Sequence, residues 1–219
     1  MGMGGLRAVP EILASYSKHY WKEELTANIR RACVEAGGPV DVLHLFAKRS
    51  DPQLRSWSYR TLAEIGPAAY DVLPTLIDNL RSEESWDQVG ALQVITRLGA
   101  IAKDSVPLMI ECFARPTQSA AAMTAVISIG PSAIPLLTEA LSHENWAVRF
   151  GSAYCLGRSG EAGAGVVGHL QPLLEDETLS VRIEAANAVR LLGNPEVALE
   201  VFRAALQPML GETTTTLQY

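Results

Sequence analysis

No run of lysines and arginines occurs in this 219-residue sequence, and Asp and Glu outnumber Lys and Arg 24 to 18, for a formal charge of −6. General nucleic-acid binding needs a basic face to neutralise phosphates, so no nucleic-acid partner is expected. Cysteine is scarce: Cys33, Cys112 and Cys155 are odd in number, far apart and without a CxxC, which indicates neither a disulfide framework nor a zinc site. Cys33 and Cys155 fall at repeat positions otherwise filled by Ala or Leu, and small buried thiols are expected. No apolar run approaches the roughly 18 residues of a membrane span. Residues 1–20 lack a charged start, apolar stretch and cleavage site. A cytoplasmic protein without a membrane partner is therefore expected. Met1-Gly2 opens like a myristoylation signal, but Leu6 stands where Ser or Thr is required. Aromatics make up only 6% of a chain that is 48% hydrophobic, so the core is built from Ala, Leu, Val and Ile. No segment alternates in polarity, and no sheet is expected.

What is present is a period. Asn145 to Gly160, NWAVRFGSAYCLGRSG, places Val148-Arg149 near a helix start, small residues at Ser152 and Ala153, Leu156 a turn later and a closing glycine. The order returns as Val181-Arg182, Ala185-Ala186, Val189 and Gly193, and as Leu54-Arg55, Ser58-Tyr59, Leu62 and Gly66. Closing glycines fall at 66, 99, 130, 160 and 193, with a weaker one at Gly37, spaced 29 to 33 residues apart. A period of this length predicts a stacked array whose repeats contact only their neighbours.

Taken in order, Leu6–Ser17 and Leu25–Ala36 form an irregular first repeat over 6–37, and regular helix pairs occupy 38–206. The pairs are Val40–Lys48 with Pro52–Ile65, capped by Asp51; Pro67–Leu80 with Trp86–Leu98; and Asp104–Ala114 with Thr117–Ile129. Pro131–Leu141 with Trp146–Ser159 and Gly165–Leu174 with Leu179–Leu192 follow. Ser85 and Gln88 have the spacing of a capping box. Pro195–Leu206 is a last single helix, and 211–219 a frayed tail. One continuous domain over 1–210 is expected. Pro74, Pro107, Pro135 and Pro172 recur inside the first helices, marking either a kink or a helix start.

These features resemble HEAT repeats, most closely the short variety named after the phycobilin lyases, with a first helix of the form LPxLLxxL, an acidic turn and then VRxxAAxALGxIG. Val148-Arg149 through Gly160 and Val181-Arg182 through Gly193 carry the likeness best. The resemblance implies an all-α, right-handed α-solenoid of about six two-helix repeats. It also implies an Asp–Arg ladder, which Asp87-Gln88 and Gln118-Ser119 interrupt by replacing the Val-Arg pair. In such folds the second helices line the concave side.

On that footing Val148, Ser152, Leu156 and Ser159 face the core, and Phe150, Gly151, Tyr154 and Arg158 face a groove. Their counterparts are Ser56, Trp57, Arg60 and Glu64; Val89, Gly90, Gln93 and Arg97; Ala120, Ala121, Thr124 and Ser128; and Ile183, Glu184, Asn187 and Leu191. Small residues at Gly90, Ala121 and Gly151 either leave room for a ligand or let helices approach closely. Trp86 and Trp146 open their helices and are read as packing over the preceding turn. The candidate binding set is Trp57, Arg60, Gln93, Arg97, Phe150, Tyr154, Arg158, Glu184 and Asn187.

Nothing indicates catalysis. His19, His44, His143 and His169 fall on outer helices or turns, so no metal set converges. The iron enzyme deoxyhypusine hydroxylase has His-Glu pairs where this chain has Phe150-Gly151 and Ile183-Glu184, which excludes that reading. No cofactor is expected, and no phosphate loop or nucleophile triad is present. A non-catalytic scaffold binding a protein or peptide is the first expectation. The alternative follows the phycobilin-lyase resemblance: a small, partly apolar, carboxylate-bearing ligand such as a tetrapyrrole, held for attachment or isomerisation. A nucleic-acid reading like that of the alkylpurine glycosylases is disfavoured by the acidic balance.

Overall fold

The computed structural model describes Arg31 and residues 52–82 and 85–214, with the side chains of residues 52–54, Ser85, Trp86 and residues 205–214 left aside. The rest of the expected first repeat, the Val40–Lys48 helix, the Asp51 cap, Cys33, His19 and His44 lie outside the described residues. Every described element is helical, as the sequence predicts, and among the described residues no strand occurs. The chain groups into two compact units, Met1–Ser105 and Val106–Tyr219.

In the first unit, α1 (Pro52–Ile65) is followed by a 3-10 stretch over Gly66–Val72, α2 (Leu73–Leu80), α3 (Ser85–Leu98) and a second 3-10 stretch over Gly99–Ser105. Pro52 opens α1, where the missing N–H would have had no intrahelical partner. Tyr59 and Leu62 of α1, Leu76 and Leu80 of α2, and Leu92 and Ile95 of α3 are buried together as the core of this unit.

In the second unit, α4 (Val106–Glu111) leads through a 3-10 turn to α5 (Ser119–Ile129). A 3-10 stretch over Gly130–Ala133 then opens α6 (Ile134–Ala140), which pairs with α7 (Trp146–Gly157). A broken first helix, Gly160–Glu175 with α8 (Val167–Leu170) at its centre, pairs with α9 (Leu179–Leu191), and α10 (Pro195–Thr214) packs on α9. Helix α10 runs past the expected end at Leu206 and takes in the start of the expected tail. Asn145 caps α7, its side-chain oxygen accepting from the Ala147 N–H at 2.9 Å. Val148, Ser152 and Leu156 are buried as expected, and Ser159 is half-buried.

Three expectations need correction. The first helices are not continuous: each opens as a 3-10 segment after its glycine, three turn α-helical beside their proline, and the fourth turns α-helical at Val167 and is 3-10 again over Gln171–Glu175, which holds Pro172. Ala69 (φ −86, ψ 16) and Ala102 (φ −93, ψ 20) leave helical geometry at those joints. Pro74, Pro107 and Pro135 are the second residues of α2, α4 and α6, so they mark helix starts with a kink just before. Second, an 18-residue window within Ser119–Ala140 reaches a mean hydropathy of 1.7, apolar enough by length and composition to cross a bilayer, contrary to the sequence reading. The segment is nonetheless two helices, broken where Gly130 takes φ 78 and Pro131 follows. Third, Gln88 turns its amide away from a capping box, donating to the carbonyls of Leu80 and Ser82.

That correction explains the ladder. Gln88 stands in the register of Arg149, whose Nη1 donates to the carbonyls of His143 and Glu144, both at 2.9 Å. Arg182 does the same to Asp176 and Glu177. In α3, α7 and α9 the side chain thus satisfies the turn before its helix, and an amide is long enough for that task. Only an arginine also reaches forward. Arg149 makes two parallel bonds to Asp176, Nε to Oδ2 at 2.7 Å and Nη2 to Oδ1 at 3.0 Å, and Arg55 lies 3.5 Å from Asp87 in the first unit.

Candidate functional site

The candidate residues fall on both units. In the first, Arg60, Gln93 and Arg97 are exposed on α1 and α3, and Trp57 is half-buried on α1. In the second, Phe150, Tyr154, Arg158, Glu184 and Asn187 come together on α7 and α9, which lie side by side. Arg149, near the start of α7, meets Asp176 just before α9, and Gly157, at the end of α7, meets Ala188 near the end of α9. The two helices therefore run parallel.

On α7 the rings of Phe150 and Tyr154 stack with centroids 6.5 Å apart. The Arg158 guanidinium lies 3.4 Å over the Tyr154 ring, an attraction between cation and ring face. Its Nη1 donates to the Tyr154 carbonyl at 3.0 Å and to Glu184 Oε1 at 3.3 Å. Asn187 donates to the same Glu184 oxygen at 3.4 Å, and Arg190 donates to Asn187 at 2.8 Å. Four polar side chains thereby form one chain of bonds that ends on an exposed arginine.

Glu184 is buried, 9% exposed, at a register where Gly90 and Gly151 stand in earlier repeats. It is not an open groove carboxylate; it anchors Arg158 from beneath. Burial pushes its carboxyl pKa up, and the bonds from Arg158 and Asn187 offset this only in part. A folded-state pKa raised above the unfolded one means that ionisation at neutral pH works against folding, and that stability rises as pH falls through the raised value. Glu184→Gln is accordingly expected to leave the thermal midpoint at pH 7 unchanged or higher. A loss of more than about 1 kcal/mol, a typical net hydrogen-bond contribution, would show instead that the Arg158 pair outweighs the cost of burial.

Gly90 and Gly151 do not leave room for a ligand. A Cβ at Gly90 would stand 2.2 Å from Tyr59 Cδ2, and one at Gly151 would stand 2.5 Å from Phe113 Cδ2, so close helix approach is the reading that holds there. Trp146, expected to pack over the preceding turn, is 50% exposed. It begins a row at every fourth residue along α7 and its C-terminal cap: Trp146, Phe150, Tyr154, Arg158. The row in the same register on α9 is Leu179, Ile183, Asn187, Leu191, of which the three aliphatics are 38–45% exposed. Sequence reasoning missed Trp146 and Leu179, although the four-residue spacing carried the signal. Each row is about 18 Å long.

The thiols of Cys112 and Cys155 are buried, and burial raises the pKa of both, so they stay protonated. His143 and His169 are exposed, and among the described residues no group of His, Cys, Asp or Glu could hold a metal.

Comparison with known proteins bears on the second unit. A family model described as HEAT repeats matches residues 108–189. The match runs from α4 to near the end of α9 and so contains the whole Phe150–Asn187 cluster. Two crystal structures of engineered proteins from the Northeast Structural Genomics Consortium are similar. One is 21% identical, with 76% of this chain and 83% of that chain covered and a TM-score of 0.48. The other is 18% identical, with 84% and 98% covered and a TM-score of 0.47. No curated protein matches the chain.

Proposed function

We propose that the chain is a non-catalytic repeat scaffold whose second unit binds a partner polypeptide on the α7–α9 face. The observation that carries this is the pair of rows in matching register on parallel helices, with Trp146, Leu179, Ile183 and Leu191 exposed and Phe150 and Tyr154 half-exposed between them. Helices of a soluble array ordinarily turn charged side chains outward, and contiguous exposed apolar surface marks an interaction site. Exposed aromatics supply contact area at low cost in side-chain entropy, and Arg158 and Arg190 add a cationic end to the face. The phycobilin-lyase-like alternative, a tetrapyrrole-sized ligand, is less well supported. The cavity beside Arg158 measures about 100 Å³, well short of the few hundred Å³ that a molecule of that size occupies.

The test is site-specific photo-crosslinking in the protein's own host. A crosslinker at Ile183 should capture one defined polypeptide, and a crosslinker at His169, exposed on α8, should not. Tyr154→Ala with Arg158→Ala should lower the affinity for that polypeptide at least tenfold. Circular dichroism should show the fold retained, with a lowered thermal midpoint because the variant also removes the Arg158 partner of buried Glu184. Equal capture at both positions, or a coloured small molecule bound to the purified protein, would overturn the reading.

A further inference from the structure

Arg158 has a second role available, in addition to its place at the end of the aromatic row. A cavity of about 100 Å³ opens beside it, lined by Val126, Ile134, Leu137 and Cys155 together with Arg158 and Ser159. The polar members other than Arg158 are already satisfied. Ser159 donates to the Leu156 carbonyl, and the Cys155 thiol lies 3.7 Å from the Met123 carbonyl. What remains is a small apolar hollow. An apolar cavity of about 150 Å³ accepts benzene, so this one suits a branched alkyl group of three or four carbons.

The guanidinium is only half used. Nη1 takes the Tyr154 carbonyl and Glu184, while Nε and Nη2 make no hydrogen bond among the described residues. Those two N–H groups form the side-on edge of the fork, whose spacing matches the two oxygens of a carboxylate. The Tyr154 ring, Glu184, Asn187 and Arg190 hold the fork in place, so little ordering is left to be done on binding.

The geometry points to a seat for the free C-terminus of the partner polypeptide, with a last residue of Val, Leu or Ile. Its side chain fills the cavity and its α-carboxylate takes Nε and Nη2 of Arg158. An internal Asp or Glu has the carboxylate but no alkyl branch beside it, and an internal Leu has the alkyl group but no carboxylate. Only a C-terminal aliphatic residue carries both on one carbon. A polypeptide is favoured over a free amino acid because the apolar rows of α7 and α9 continue from Arg158 and can hold the residues that precede the terminus. This inference rests on the partner-binding reading above and narrows it to one kind of segment.

Random decapeptide libraries distinguish the two. One library is displayed with free C-termini, and a second is displayed with C-termini blocked; both are selected on the full chain. Binders from the first should end in Val, Leu or Ile. Amidating that terminus should weaken each of them tenfold or more, the loss expected for a charge-assisted pair. On Arg158→Gln, whose fold is checked by circular dichroism, the free and amidated forms should bind alike. Binders that require Tyr154 but are indifferent to amidation, or whose preference for a free terminus survives Arg158→Gln, overturn the terminus proposal and leave the partner reading intact. An absence of binders from both libraries overturns both.

Discussion

Arg149→Met is expected to lower the unfolding free energy of the second unit by about 3–5 kcal/mol, the range found when one partner of a buried ion pair is removed. Arg149 and Asp176 side chains are 10% and 8% exposed, and the guanidinium also fills the carbonyls of His143 and Glu144. Methionine matches its bulk but leaves Asp176 ionised beside a poor solvent and the two carbonyls without their donor. The pH dependence gives the loss a signature. Burial alone would raise the Asp176 carboxyl. The Arg149 hydrogen bonds, the Thr178 N–H and the charges of Arg149 and Arg182 outweigh it and hold its pKa below the usual carboxylate range. A depressed folded-state pKa contributes stability that is complete above the unfolded value, near 4 for Asp, and is lost as pH falls through the folded value. Wild-type and variant stabilities should therefore differ most at neutral pH and converge in acid. Denaturant titrations at several pH values, read by hydrogen exchange in α7 and α9, measure this. A gap that stays constant from neutral pH into acid would assign the loss to packing instead. Adding Asp176→Leu should recover part of the loss, because an apolar pair leaves no stranded charge.

Gly157→Ala should cost about 1–3 kcal/mol, the usual range for an overfilled contact. An alanine in a helix interior normally gains about 1 kcal/mol over glycine, so the sign itself is diagnostic. A Cβ at this position would lie 2.7 Å from Ala188 Cα and 2.8 Å from Ala188 Cβ. The first of these is main chain, which cannot rotate aside, so α7 and α9 must separate along their whole shared length. Ala188→Gly in the same chain removes only the Cβ contact and should restore part of the stability. At Gly168, in α8, an added Cβ would meet nothing within 4 Å; Gly168→Ala serves as the matched control and should not destabilise. Thermal melts of the three variants decide the matter, and a neutral Gly157→Ala would mean that the helices are not as close as described.

The parts of this structure legible in the sequence are those fixed by local chemistry repeated at a period. Gly66, Gly99, Gly130, Gly160 and Gly193 all take positive φ where the spacing places the closing glycines. The second helices begin and end within a few residues of expectation, because a turn residue and a small-residue face recur in each. Proline was ambiguous, since its ring permits both a kink and a helix start, and only the conformations of Ala69 and Ala102 separate the two. The candidate site was half legible. Neighbouring residues such as Phe150 and Gly151 point about 100° apart on a helix, and periodicity alone does not say which of them meets the next element. Phe113 takes the Gly151 side, which leaves Phe150 half-exposed. Glu184 shares the Gly151 register and is buried for the same reason, and its charge concealed this. Trp146 is expected to pack over the preceding turn, an expectation that leaves out the four-residue spacing setting it at the head of the exposed row.

The junction glycines also bear on how such a sequence can drift. Gly160 and Gly193 stand in the open, with nothing near enough to touch an added side chain. Exposed positions with free space are ordinarily where substitutions accumulate unnoticed. Here the obstacle is handedness, since φ of 60 and 98 is mirror-image territory for an L-residue and costs about 1–2 kcal/mol. Crowding can be relieved by a compensating change in a neighbour, whereas chirality cannot. The residues between two such marks are free to vary in number, as the uneven 29–33 spacing shows, while the marks themselves are what each repeat is counted from.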